Sequence, residues 1–84
     1  MYIHLGEQIS VYDTSVIGIF DIENTTIGQD TRALLHRLES EHRVVSVSEE
    51  MPKSFVLCEN ENGENAYVSP ISAATLRKRA AKLY

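Results

Sequence analysis

The residues with the most chemistry to offer are four cations near the end of the chain. Arg77, Lys78, Arg79 and Lys82 stand in SAATLRKRAAKLY with no acid beside them. Clustered guanidinium and ammonium groups bind phosphates, because each contact releases counterions condensed on a nucleic acid. The body of the chain has the opposite balance. Residues 1–71 hold four bases (Arg32, Arg37, Arg43, Lys53) against all twelve acids, a net charge of −8, so the total of −4 joins an acidic body to a basic end. Such asymmetry marks an electrostatic contact, most often with nucleic acid. Only Tyr84 lies near the cluster, so contact with the backbone of double-stranded DNA is expected over stacking on single-stranded bases. The plain alternative is a solvated helix face.

Other chemistries are poorly served. His4, His36 and His42 have no ligand spacing, and the single Cys58 cannot build a structural zinc site, so no metal is expected. Cys58 falls in a strand without a basic neighbour and reads as an inert core thiol. No nucleophile elbow, phosphate-cradling glycine loop or dinucleotide fingerprint is present, so the chain is read as neither an enzyme nor a cofactor protein. The paired carboxylates (Asp21 and Glu23, Glu39 and Glu41, Glu49 and Glu50) fall at expected turns and helix ends, where solvation is the default.

These side chains must be carried by a small α+β domain. Tyr2–Leu5 and Gln8–Tyr12 favour strands around a Gly6-Glu7 turn. Ser15–Ile22 is apolar at both parities, which asks for cover on both faces, and Gly18 inside it marks a bulge or a close backbone approach. Ile27, Thr31, Leu34, Leu35 and Leu38 then form one helical stripe behind a Thr26-x-x-Gln29 capping box, ending near His42. Val44–Val47, Ser54–Cys58 and Ala66–Ser69 are strands, the last two joined by a type I′ hairpin turn on Asn62-Gly63. Ser72 caps the last helix, which sets Leu76, Ala80, Leu83 and Tyr84 on one side. Arg77, Lys78 and Lys82 point away from that side, with Arg79 at the border. The order is β-β-β-α-β-β-β-α, with a mainly antiparallel sheet.

Eighty-four residues make one domain, 1–84, close to the lower limit for independent folding. Such folds without disulfide or metal staples often oligomerise, so a homo-oligomer, dimer or ring, is expected. The absence of a signal-like start, a long apolar run or paired cysteines points to a cytoplasmic protein with no membrane contact.

The opening YIHLG, the strand VIGIF, the segment PKSFV and the ending YVSPISAATLRKR, taken in order, resemble the RemA/RemB family of bacterial extracellular-matrix (biofilm) regulators. The likeness covers essentially the whole chain and is closer to the RemB branch. It implies a cytosolic regulator. For RemA-like members it implies a ring-shaped oligomer that binds DNA through basic residues on the sheet and its loops. Here Ser15 stands where RemA-like sequences place an arginine before the third strand. Met51-Pro52 replaces an arginine pair before the fifth strand, with Lys53 the nearest base. That DNA surface is not reproduced. The DNA-binding candidates are therefore Lys53, Arg77, Lys78, Arg79 and Lys82, in a transcriptional regulator of matrix genes. The alternative is a regulatory module of the same pathway that binds a protein partner, and DNA weakly or not at all.

Overall fold

The computed structural model describes residues 1–22 and 28–81. The elements follow the expected order: β1 (Tyr2–Gly6), β2 (Ile9–Tyr12), a 3-10 turn (Asp13–Ser15), β3 (Val16–Asp21), α1 (Gln29–Ser40), β4 (Val44–Ser46), β5 (Ser54–Asn60), β6 (Gly63–Ser69) and α2 (Ala73–Ala81). The strands form two sheets, not one. β1 and β2 make a separate antiparallel hairpin, and the main sheet runs β3-β5-β6-β4. β3–β5 and β5–β6 are antiparallel, whereas β4 lies parallel to β6. Helix α1 joins β3 to β4 across the sheet, and a helical crossover is what permits a parallel return. The fold is α+β, with one parallel pair in an otherwise antiparallel arrangement.

Alternation of side chains assigns the two faces of the main sheet. Phe55 pairs with Phe20 and Val68, and Leu57 with Ala66. This face meets α1 through Leu34, Leu35 and the buried Leu38. The opposite face presents Val56 and Cys58, covered by Ile3, Leu5 and Val11 of the hairpin and Leu76 of α2. The double parity of Ser15–Ile22 is thus explained, since Val16 and Ile19 pack on the hairpin side and Phe20 on the α1 side, and β5 is buried on both. Burial pushes the Cys58 thiol pKa up, against a smaller opposing hydrogen bond from Ser15, so the thiol is held in its unreactive form. Among the described residues no helix is long and apolar enough to cross a membrane.

Several local expectations shift by a residue or two. The β5–β6 strands pair as expected, but Asn60 lies opposite Gly63, so the turn residues are Glu61 and Asn62. The Asn60 side chain accepts the Asn62 N–H at 2.8 Å, and only Gly63 takes a positive φ, 111°. A local side-chain bond has overridden the type I′ reading of Asn62-Gly63. In β3 the register slips between Val16 and Gly18, leaving Ile17 as the extra, exposed residue of a bulge. A Cβ on Gly18 would sit 2.8 Å from the Phe20 ring, so what comes close there is a side chain and not another stretch of backbone.

Helix α1 starts later than its stripe. Its N-cap is Gly28, with no side-chain cap, and Gln29 is the first helical residue. Gln29 therefore does not occupy the third helical position that a capping box requires, and Thr26 and Ile27 lie outside the described residues. At the other end Arg43 N donates to Leu38 O and His42 N to Glu39 O. With His42 at φ 59°, this is a Schellman closure in which histidine occupies the left-handed position normally given to glycine. Replacing His42 by Gly should stabilise the fold by about 1 kcal/mol, relieving a Cβ clash that costs roughly 1–2 kcal/mol. An upward shift of the denaturant midpoint would record it; an unchanged or lower midpoint would show the histidine side chain contributing more than the strain.

Candidate nucleic-acid interface

Helix α2 carries the cations, and the chain leading into it is tightly held. Ser69 Oγ donates to Leu5 O at 2.5 Å and accepts from Ile71 N at 3.0 Å. Ser54 Oγ donates to Ile71 O at 2.7 Å. Both serines are fully buried, and every one of these polar atoms has a partner, as burial requires. Ser72 then caps the helix as expected, its Oγ accepting from Thr75 N at 3.2 Å and donating to Thr75 Oγ1 at 2.9 Å. These bonds fix where the helix begins and how it is rotated.

Rotation decides what each cation does. Successive helical residues turn by about 100°, so Arg77 and Arg79 flank the buried Leu76 on opposite sides while Lys78 faces away from it. Arg77 Nη2 donates to Ile19 O of β3 at 2.8 Å, and Arg79 Nη1 donates to His4 O of β1 at 2.8 Å. Each of those strands is hydrogen-bonded to a single neighbour, so α2 bridges the hairpin and the edge of the main sheet. Arg77 was expected to point into solvent. Its side chain is exposed, but its guanidinium folds back onto a carbonyl that an edge strand leaves within reach. Arg79, at the border as expected, is half-buried.

Charge pairing separates α2 from the rest of the surface. Arg37 pairs with Glu64 at 2.9 Å and lies 4.0 Å from Glu41, and Arg43 lies 3.7 Å from Glu41. Among the described residues Arg77, Lys78 and Arg79 have no carboxylate partner. Backbone carbonyls hold the two arginines in place without cancelling their charge. Lys53 is brought only part of the way. It is exposed, with its N–H donating to Ser69 O and its carbonyl accepting from Ile22 N, which sets it beside the strand-to-helix connection. The cluster begins five residues past Ser72, a rise of about 7.5 Å. Lys82, Leu83 and Tyr84 lie outside the described residues.

Ser15 and Met51 are the residues that the resemblance sets against arginines. Ser15 Oγ donates to Tyr12 O at 2.7 Å within the 3-10 turn, and Met51 is 81% exposed ahead of β5. Sequence reasoning missed the clamp of Ser54 and Ser69. The available signal was a pair of small hydroxyls at facing strand ends just before the capped helix. It also missed Arg32, whose setting is described below.

No family model matches this chain. It is 36% identical over 80 residues to Extracellular matrix regulatory protein B of Bacillus subtilis (strain 168), an alignment covering 95% of this chain and 90% of that protein. Identity at this level along nearly the whole of both chains bears out the resemblance of the quoted segments, and the chain belongs to the RemA/RemB family as a RemB-like member.

Proposed function

We propose that this protein is a cytoplasmic DNA-binding transcriptional regulator of extracellular-matrix genes, working as an oligomer of small subunits. The observation that carries the reading is that Arg77, Lys78 and Arg79 of α2 have no carboxylate partner among the described residues, the two arginines being held by backbone carbonyls. Pre-positioned guanidinium groups lose little freedom when a phosphate arrives. The regulatory role follows from kinship with a protein named as an extracellular matrix regulator. A titration of a matrix-gene promoter fragment across salt concentrations tests it: log K should fall by about 0.9 per phosphate neutralised. Absence of salt-sensitive binding would favour the protein-interaction module, a reading supported by the acidic body and by Ser15 and Met51 standing in for arginines.

Oligomerisation is supported by the apolar surface at one end of the hairpin. Tyr2 and Tyr12 lie cross-strand with ring centroids 4.8 Å apart, and they are 67% and 47% exposed beside Met1 at 65%. Exposed aromatic groups of this kind mark interaction surfaces, and an oligomer would set several α2 helices side by side so that weak contacts add. Sedimentation at tens of micromolar and neutral pH should give a species larger than the 9.5 kDa monomer. A pure monomer would refute the oligomer.

A further inference from the structure

On the face of the sheet away from α2, α1 and the main sheet line a cleft of about 340 Å³. Its floor and walls are Ile22, Leu35, Val44, Phe55 and Val68, drawn from β4, β5 and β6, from α1 and from the residue that follows β3. Phe20 stacks on Phe55 with centroids 4.7 Å apart and continues the apolar floor. Among the described residues the polar lining is Arg32, His36 and Glu39, all on α1. Among the described residues Arg32 makes no ion pair, in contrast to Arg37 and Arg43 nearby.

We propose that this cleft is a binding site for a small amphipathic monoanion, a medium-chain or aromatic carboxylate, with its head at Arg32 and its body on Leu35, Val44, Phe55 and Val68. The volume lies within the range of small-molecule sites, which are mostly apolar with a few polar groups that orient the ligand. Arginine is the side chain suited to a carboxylate, offering two parallel donors. Arg32 and Glu39 are seven residues apart, a separation of about 10.5 Å along the helix. The carboxylate of Glu39 disfavours a second anionic group at the far end, which selects one charge on a body of about that length. This site is independent of the DNA-binding reading, because it lies on the other face and none of its residues belongs to α2.

Decanoate, with decanol as the uncharged control, tests the site by methyl NMR titration of the full chain. Saturable shifts at Leu35, Val44 and Val68 are expected, with decanol at least severalfold weaker. Arg32→Gln, an exposed position that leaves folding intact, should weaken decanoate about three- to tenfold and leave decanol unchanged. Val68→Trp, checked for a native unfolding transition, should abolish binding by filling the cleft. Four outcomes would overturn the proposal: no saturation, equal affinity for decanoate and decanol, shifts confined to Ile3, Val11 and Val56 on the opposite face, or decanoate affinity unchanged in Arg32→Gln. Shifts that follow protein concentration without ligand would overturn it as well, and would assign the cleft to a second copy of the chain.

Discussion

Replacing Leu76 by Ala should lower the unfolding free energy by about 2–5 kcal/mol, the usual cost of emptying a leucine site in a packed core. Leu76 is fully buried, with Ile3, Leu5, Val11, Val47, Val56 and Cys58 in the same cluster. That cluster joins the hairpin, the main sheet and α2, so no single element can move in to close the hole. A domain of 84 residues has a total stability of only about 4–13 kcal/mol, so the loss removes a large fraction of it. Denaturant unfolding should show a lower midpoint at an unchanged slope. A change below 1 kcal/mol would mean that α2 is not seated on the core, and the positioning of its cations would then have no basis.

Neutralising Arg77, Lys78 and Lys82 together as glutamines should have the largest effect on DNA. If each neutralises one phosphate, the salt slope should flatten by about 2.7 per subunit, three contacts at roughly 0.9 each. Affinity at low salt should fall by an order of magnitude or more, and further in an oligomer where contacts add. Stability should change little, since exposed substitutions usually cost within about 0.5 kcal/mol each. Arg77 will account for most of that cost, because it gives up its 2.8 Å bond to Ile19 O. Lys78→Gln alone separates charge from structure, as Lys78 faces solvent and makes no ion pair among the described residues. The contrary result is equally definite. If the wild type shows no salt-sensitive binding and the triple variant still drives matrix-gene expression, the basic helix is a solvated face and the protein acts through a protein partner.

Much of this molecule was legible in one dimension because its signals are periodic and local. The apolar run of Ser54–Cys58, the double parity around Gly18 and the stripe through Leu34, Leu35 and Leu38 each report packing, and the structure buries β5 and Leu38 and packs Val16, Ile19, Phe20, Leu34 and Leu35 partly against the two cores. Ser72 was legible as a cap because a hydroxyl before a helical run has one favourable local partner, the amide of Thr75. The acidic body and basic end are likewise properties of the chain itself. Where local rules competed, the sequence reading slipped. The Asn60 side chain moved the hairpin turn by one residue, and Gly28 took the cap position expected of Thr26.

What the chain alone could not decide was which residues far apart in sequence would meet. The Ser69 bond to Leu5 O spans 64 residues, and the Arg79 bond to His4 O spans 75. Neither has a periodic signature, because each depends on the hairpin and α2 packing on the same face of the main sheet. The same holds for the parallel β4–β6 pair and for the cleft beneath Arg32, whose lining comes from α1 and three separate strands. Amino-acid order determined the elements, their buried sides and the charge each carries, since these follow from propensity and spacing along a few turns. Tertiary packing alone decided that two arginines of a solvent-facing run would be held by edge-strand carbonyls while Lys78 makes no ion pair among the described residues. The orientation of a long side chain is set by whatever acceptor the folded neighbours bring within reach.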